Sequence, residues 1–137
     1  MNHKLTKNKT TKIFCLLIII SLLSVSAYKS IDYFNTLSHE NTRHLVEIKQ
    51  PLSKKEVLFF YRDDCMYCHE IYPYVAKQKV LMDKKITFVN LKAHANRKYI
   101  KEFNLTQVPA LVRVKNHKAE HYIGTSKAQI KQFLIEE

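Results

Sequence analysis

The feature that most constrains this chain is a run of five apolar residues, Val57-Leu58-Phe59-Phe60-Tyr61, which passes through Arg62-Asp63-Asp64 into Cys65-Met66-Tyr67-Cys68. An unbroken apolar run of strand length fits a strand covered on both faces, and so an interior position in a sheet flanked by helices. Behind it, Cys68, Ile71, Val75, Gln78 and Met82 recur at helical spacing with Tyr74 and Leu81 beside them, which predicts an amphipathic helix over 66–83. Two cysteines at i and i+3 of a helix N-terminus lie on one side, close enough to close a disulfide and so to hold two electrons. The partial positive charge at that helix end favours a thiolate. Cys65 is therefore the expected nucleophile and Cys68, one turn in, the expected resolving thiol. Pro73 lacks a backbone donor and predicts a kink about two turns after the pair.

The N-terminus carries a different signal. Lys4, Lys7, Lys9 and Lys12 precede an uncharged run over 13–28 that is rich in Leu and Ile. Positive charge before an apolar segment keeps residues 1–12 in the cytoplasm and sends the remainder across the membrane. Val25-Ser26-Ala27 has the small residues of a cleavage site, so a secreted form cut near Ala27 is one outcome; Tyr28 and Lys29 suit a membrane interface, and an uncleaved single-pass anchor is the expectation. Cys15 lies inside the apolar run as filler, leaving Cys65 and Cys68 for a disulfide in a compartment where disulfides persist. The formal charge of +11 divides into +4 over 1–43 and +7 over 44–137. No arginine-rich tract accompanies it, so the lysines read as a solvated face and nucleic acid is not an expected partner.

Residues 29–43 are polar and aperiodic and read as a spacer or frayed helix; the remaining 44–137 suffice for one domain. Residues 44–49 alternate weakly, as an accessory strand would, and Pro51 ends them. Further strands are expected over 86–91, 110–114 and 120–123, the last two antiparallel through a turn at 115–118. A short helix over 95–103 should turn Tyr99, Ile100 and Phe103 inward, with Asn104 as its cap. Ser126 and Gln129 fit a capping box opening a final helix that buries Ile130, Phe133 and Leu134. The order is β-α-β-α-β-β-α, an α/β domain built on one mixed sheet.

Three other readings compete for the cysteines. Cys65-Met66-Tyr67-Cys68-His69 also spells C-x-x-C-H, the attachment motif of c-type haem, but small c-type cytochromes are helical and this motif sits between a strand run and a β-rich half. Two thiolates with two of His69, His94, His117 and His121 would make a zinc set, although only His117 and His121 have ligand spacing. A purely structural disulfide, in a binding or accessory protein, would close too short a loop to constrain the unfolded chain much. His69 reads as a helix-surface residue near enough in sequence to tune Cys65, as do Met66 and Tyr67 between the cysteines.

Residues 45–136 resemble the thioredoxin family. The resemblance rests on Cys65-x-x-Cys68, on Pro73 eight residues after Cys65, on Val108-Pro109 at the start of a strand where the family has a cis-proline, and on the sole glycine, Gly124, before the last helix. It implies a thioredoxin-like fold and a thiol–disulfide oxidoreductase with no cofactor beyond its own Cys65–Cys68 disulfide. It implies that Pro109 is cis and packs against the dithiol, and that the Val108 backbone pairs with an extended substrate. Expected partners are exported proteins or peptides carrying thiols or disulfides, and a membrane protein that recharges the pair. The chain departs from the family in having Met66-Tyr67 for Gly-Pro, Asp64 for the aromatic residue before the first cysteine, and Phe59 and Asn90 where the family has a buried acid and its lysine partner. In its anchor, small size and lysine content it is similar to extracytoplasmic thioredoxin-like proteins of Gram-positive bacteria, including those that accompany bacteriocin export.

Overall fold

In the computed structural model, residues 3–38, 46–48, 56–115 and 118–136 are described. Helix α1 (His3–Ser38) comes first, followed by β1 (Glu56–Tyr61), α2 (Met66–Met82), β2 (Lys85–Asn90), a 3-10 turn (His94–Asn96), α3 (Lys98–Glu102), β3 (Ala110–Lys115), β4 (Lys118–Ile123) and α4 (Lys127–Ile135). The four strands form one sheet in the order β2-β1-β3-β4. β1 pairs in parallel with β2 and antiparallel with β3, and β3 pairs antiparallel with β4. The apolar run is thus an interior strand, as its composition requires, and all six residues of β1 are buried.

Alternation along β1 builds two cores. Val57, Phe59 and Tyr61 face α2 and α4 and join Ile71, Tyr72, Val75, Ile130 and Leu134, whereas Leu58 and Phe60 face Tyr99 and Phe103 on the opposite side. Aromatic contacts dominate the first core: the Tyr61 and Tyr72 rings are 5.0 Å apart and nearly perpendicular, and Phe59 meets Phe88 edge-on at 5.4 Å. α2 runs through Pro73 without interruption and ends at Asp83, whose positive φ of 51° lets its N–H turn back to the Lys79 carbonyl. Asn104 likewise adopts a positive φ of 48° after α3.

Several expectations need correction. Ile100 does not turn inward; it is 41% exposed, and Tyr99 and Phe103, four residues apart, fill the core. Residues 46–48, the described part of the expected accessory strand, join no ladder. Their backbone groups are taken by side chains: Val46 N–H donates to Asn96 Oδ1, the Tyr99 hydroxyl donates to Val46 O, and Ile48 N–H donates to the Tyr99 oxygen. The rest of that segment, Pro51, residues 39–43 of the spacer, and residues 116–117 of the hairpin turn lie outside the described residues. Residues 29–38 continue α1, and Tyr33 packs against the α2-side core. Ser126 caps α4 through a bond from Gln129 N–H, but Gln129 does not reciprocate; the Tyr122 hydroxyl accepts from Ser126 N–H and donates to the Gln129 side chain.

Candidate functional site

β1 delivers the chain to the sheet end and a three-residue turn carries it into α2, with Cys65 in extended backbone as the N-cap. Its sulfur does the work usually given to a serine or aspartate oxygen there, accepting a hydrogen bond from Cys68 N–H at 3.4 Å. Cys65 is half-buried, while Cys68 is 1% exposed; both are free thiols. The Cys65 sulfur also lies 4.0 Å from the carbonyl oxygen of Val108. The Val108–Pro109 peptide is cis, Pro109 is buried and Val108 half-buried, so two separate segments converge on one sulfur.

Behind the pair the surroundings are apolar. Cys68 shares its core with Phe59, Tyr61 and Tyr72, and Phe59, at the position of the family's buried acid, is fully buried. Burial pushes the Cys68 thiol up to about 12, reinforced by its contact with the Cys65 sulfur and not offset by the backbone and guanidinium of Arg62. Asn90, at the position of the acid's lysine partner, is 2% exposed; its Oδ1 accepts from Lys92 N–H, and its Nδ2 is buried with no hydrogen-bond partner among the described residues.

In front of the pair the surface is charged, and this the sequence reading missed. Asp64, directly before Cys65, accepts two hydrogen bonds from Arg62 at 2.8 Å each and a third from Lys92 at 2.5 Å. These bonds, Arg62 first, hold the Asp64 carboxyl well below the usual carboxylate range and raise Arg62 in return. The Arg62-x-Asp64 spacing was visible in the turn; the reach of Lys92 from the end of β2 was not. Arg62 and Val108 also border an open groove of about 490 Å³ that continues over Leu91, Ile100 and Leu105 to Arg97.

The residues between the cysteines are exposed, Met66 at 75% and Tyr67 at 59%, and present an apolar lip beside Cys65. The His69 ring bonds the Asp63 carbonyl through Nε2 at 2.7 Å. His121 bonds the Phe103 carbonyl on the other face, His94 is exposed, and His117 lies outside the described residues. Among the described residues no group of three or more His, Cys, Asp or Glu is placed to share a metal ion.

Gly124 completes the site's support. Its φ of 142° favours glycine, a β-carbon there would meet the Tyr122 hydroxyl at 3.1 Å, and its N–H donates to the Pro109 carbonyl at 3.3 Å. The last loop is thereby tied to the segment facing Cys65.

A family model described as thioredoxin matches residues 35–136. Among solved structures, a mitochondrial thioredoxin of Saccharomyces cerevisiae is 19% identical with a TM-score of 0.53, covering 60% of this chain and 77% of its own. A Schistosoma mansoni thioredoxin is 20% identical with a TM-score of 0.54, covering 62% and 80%. A thioredoxin of Nicotiana alata is 18% identical with a TM-score of 0.54, covering 62% and 74%. No curated protein matches the chain by sequence.

Proposed function

Because the chain belongs to the thioredoxin family, we propose that it is a thiol–disulfide oxidoreductase whose working pair is Cys65 and Cys68. One observation carries the reading: the half-buried Cys65 sulfur receives an N–H bond at a helix start, faces Val108 O, and has a fully buried second thiol one turn behind it. The Cys68 amide and the helix end both face the Cys65 sulfur, and the thiolate is the form that attacks a disulfide.

In the reducing direction, the Cys65 thiolate attacks one sulfur of a substrate disulfide, forming a mixed disulfide and expelling the other sulfur as a thiolate. Cys68 then gives up its proton and attacks the Cys65 sulfur. The Cys65–Cys68 bond forms, the substrate leaves with both sulfurs reduced, and two electrons have moved. Oxidation of a dithiol substrate is the same sequence reversed. Val108, with its carbonyl beside the attacked sulfur, is the segment along which an extended peptide would pair. Met66, Tyr67 and the Asp64 ion pairs border the approach; His69, bonded to the turn carbonyl, acts through the shape of that turn.

The substrates are exported proteins. α1 contains an apolar stretch, Thr11–Asn35, long enough to cross a membrane, and four lysines precede its core. That arrangement supports a tethered domain on the extracytoplasmic side, where a membrane redox partner would restore the pair.

The test is Cys68→Ser in the full chain. It is expected to accumulate exported proteins as mixed disulfides on Cys65 that dithiothreitol releases, with none in Cys65→Ser. Absence of reducible adducts in both variants overturns the reading.

A further inference from the structure

α1 meets the domain at a particular height. A span needs about 20 residues to cross the hydrocarbon. Counted from Thr11, the start of the apolar stretch, that length ends near Ser30. The helix residues touching the domain stand at that same level. Lys29 Nζ donates to the Val80 carbonyl in the last turn of α2 at 2.9 Å, and Tyr33 packs on the neighbouring core. The final turns of α2 are therefore held at the depth of the lipid headgroups.

Between the two helices lies a pocket of about 430 Å³. Ser26, Lys29 and Ser30 line it from α1, Lys77 from α2, and no carboxylate lines it. Lys29 gives one of its three N–H donors to Val80, and the Lys77 ammonium has no partner among the described residues. Two ammonium groups with the Ser26 hydroxyl beside them suit a phosphate, the Ser30 hydroxyl being already given to the Ser26 carbonyl at 2.9 Å. Val80 and Leu81, the latter 58% exposed, line the same pocket from α2 and give it an apolar edge that suits a glycerol or acyl segment.

We propose that this pocket binds the headgroup phosphate of an anionic phospholipid and so seats the domain on the bilayer with the end of α2 facing the lipid. The proposal rests on the reading of α1 as a membrane-spanning segment. Because the pocket is shared between the tether and the domain, an occupying lipid clamps the two together.

The chain has no tryptophan, so Leu81→Trp supplies a single reporter, and Ile135→Trp on α4, a position 56% exposed, supplies the control. Each full-length variant is placed in nanodiscs of phosphatidylcholine, with or without phosphatidylglycerol, containing lipids brominated on the upper acyl chain. The reporter at 81 is expected to be quenched more strongly than that at 135, and more strongly when phosphatidylglycerol is present. Lys77→Glu added to Leu81→Trp should weaken the phosphatidylglycerol-dependent part about fivefold or more, as expected for juxtamembrane charges near an anionic surface. Equal quenching at 81 and 135, or quenching at 81 indifferent to both phosphatidylglycerol and Lys77→Glu, overturns the proposal. A chain that elutes apart from the nanodisc overturns the anchoring reading itself, a result that size-exclusion chromatography tells from the others.

Discussion

The backbone amide of Cys68 donates to the Cys65 sulfur across 3.4 Å, so the residue whose own sulfur is hidden supplies a hydrogen bond to the sulfur that is presented. The pair is asymmetric: one sulfur is half-exposed at the helix start, and the other is buried one turn behind it.

Cys68 should show that state in two measurements. Reduced protein alkylated with iodoacetamide at about pH 8 should be modified at Cys65 and not at Cys68 until it is unfolded, as peptide mass spectrometry would read. Its raised folded value also makes stability fall with pH. Below the unfolded thiol value of about 8.5 both states hold the proton; above it the unfolded chain releases the proton first, and stability drains until the folded value is passed. Between about pH 8.5 and pH 10 the reduced protein should lose up to about 2 kcal/mol that Cys68→Ala does not lose, measured by urea unfolding.

Phe59 is packed against Tyr61, Tyr72 and Phe88, which leaves no room for a solvated carboxylate. Phe59→Asp should cost at least about 3 kcal/mol, since a buried acid without a partner is left behind. Adding Asn90→Lys should recover at least about 1 kcal/mol of that loss. The double variant should also resolve its mixed disulfides faster at neutral pH, because Cys68 then has a nearby proton acceptor; stopped-flow release of a labelled peptide would measure it.

Asp64 pairs with both Arg62 and Lys92 next to Cys65 and removes one of their two positive charges. Asp64→Asn should increase the rate at which reduced Cys65 attacks an anionic aromatic disulfide relative to the cationic cystamine. The gain should be several-fold at low salt and should shrink at about 1 M salt, where the Debye length is about 3 Å. Lowering the pH through the usual carboxylate range should not reproduce it, since the ion pairs hold the Asp64 carboxyl ionised there.

Gly124 joins stability to the site. Gly124→Ala should cost about 1–3 kcal/mol, because its backbone conformation is strained for alanine and the new carbon presses on the Tyr122 hydroxyl. Since Gly124 N–H holds the Pro109 carbonyl, kcat/KM for protein disulfides should fall more than that for a small disulfide.

What the sequence revealed was what neighbouring residues decide. The run at 57–61, the cysteine spacing, the helical period over 66–82 and the Ser126 cap are local patterns, and each appears where expected. Reading failed where a distant side chain intervened. Residues 46–48 alternate like a strand, yet Tyr99 and Asn96, some 50 positions on, take up their backbone bonds. Ile100 has an apolar side chain on a helix, but α3 has five residues after a 3-10 turn, and Tyr99 and Phe103 already fill its inner face. Lys92 reaches Asp64 across 28 positions, and Tyr122 stands in for half of a capping box. None of these contacts has a periodicity from which to infer it.

The length of α2 has one further consequence. Its 17 residues begin beside the reactive sulfur and end at the contact with α1, a rod of about 25 Å at the usual rise per residue. Under the proposed seating of its far end at the bilayer surface, α2 would be a ruler: it would limit how far out the sulfur can stand, and so favour client cysteines that emerge within that distance of the membrane over those on distant parts of a large ectodomain.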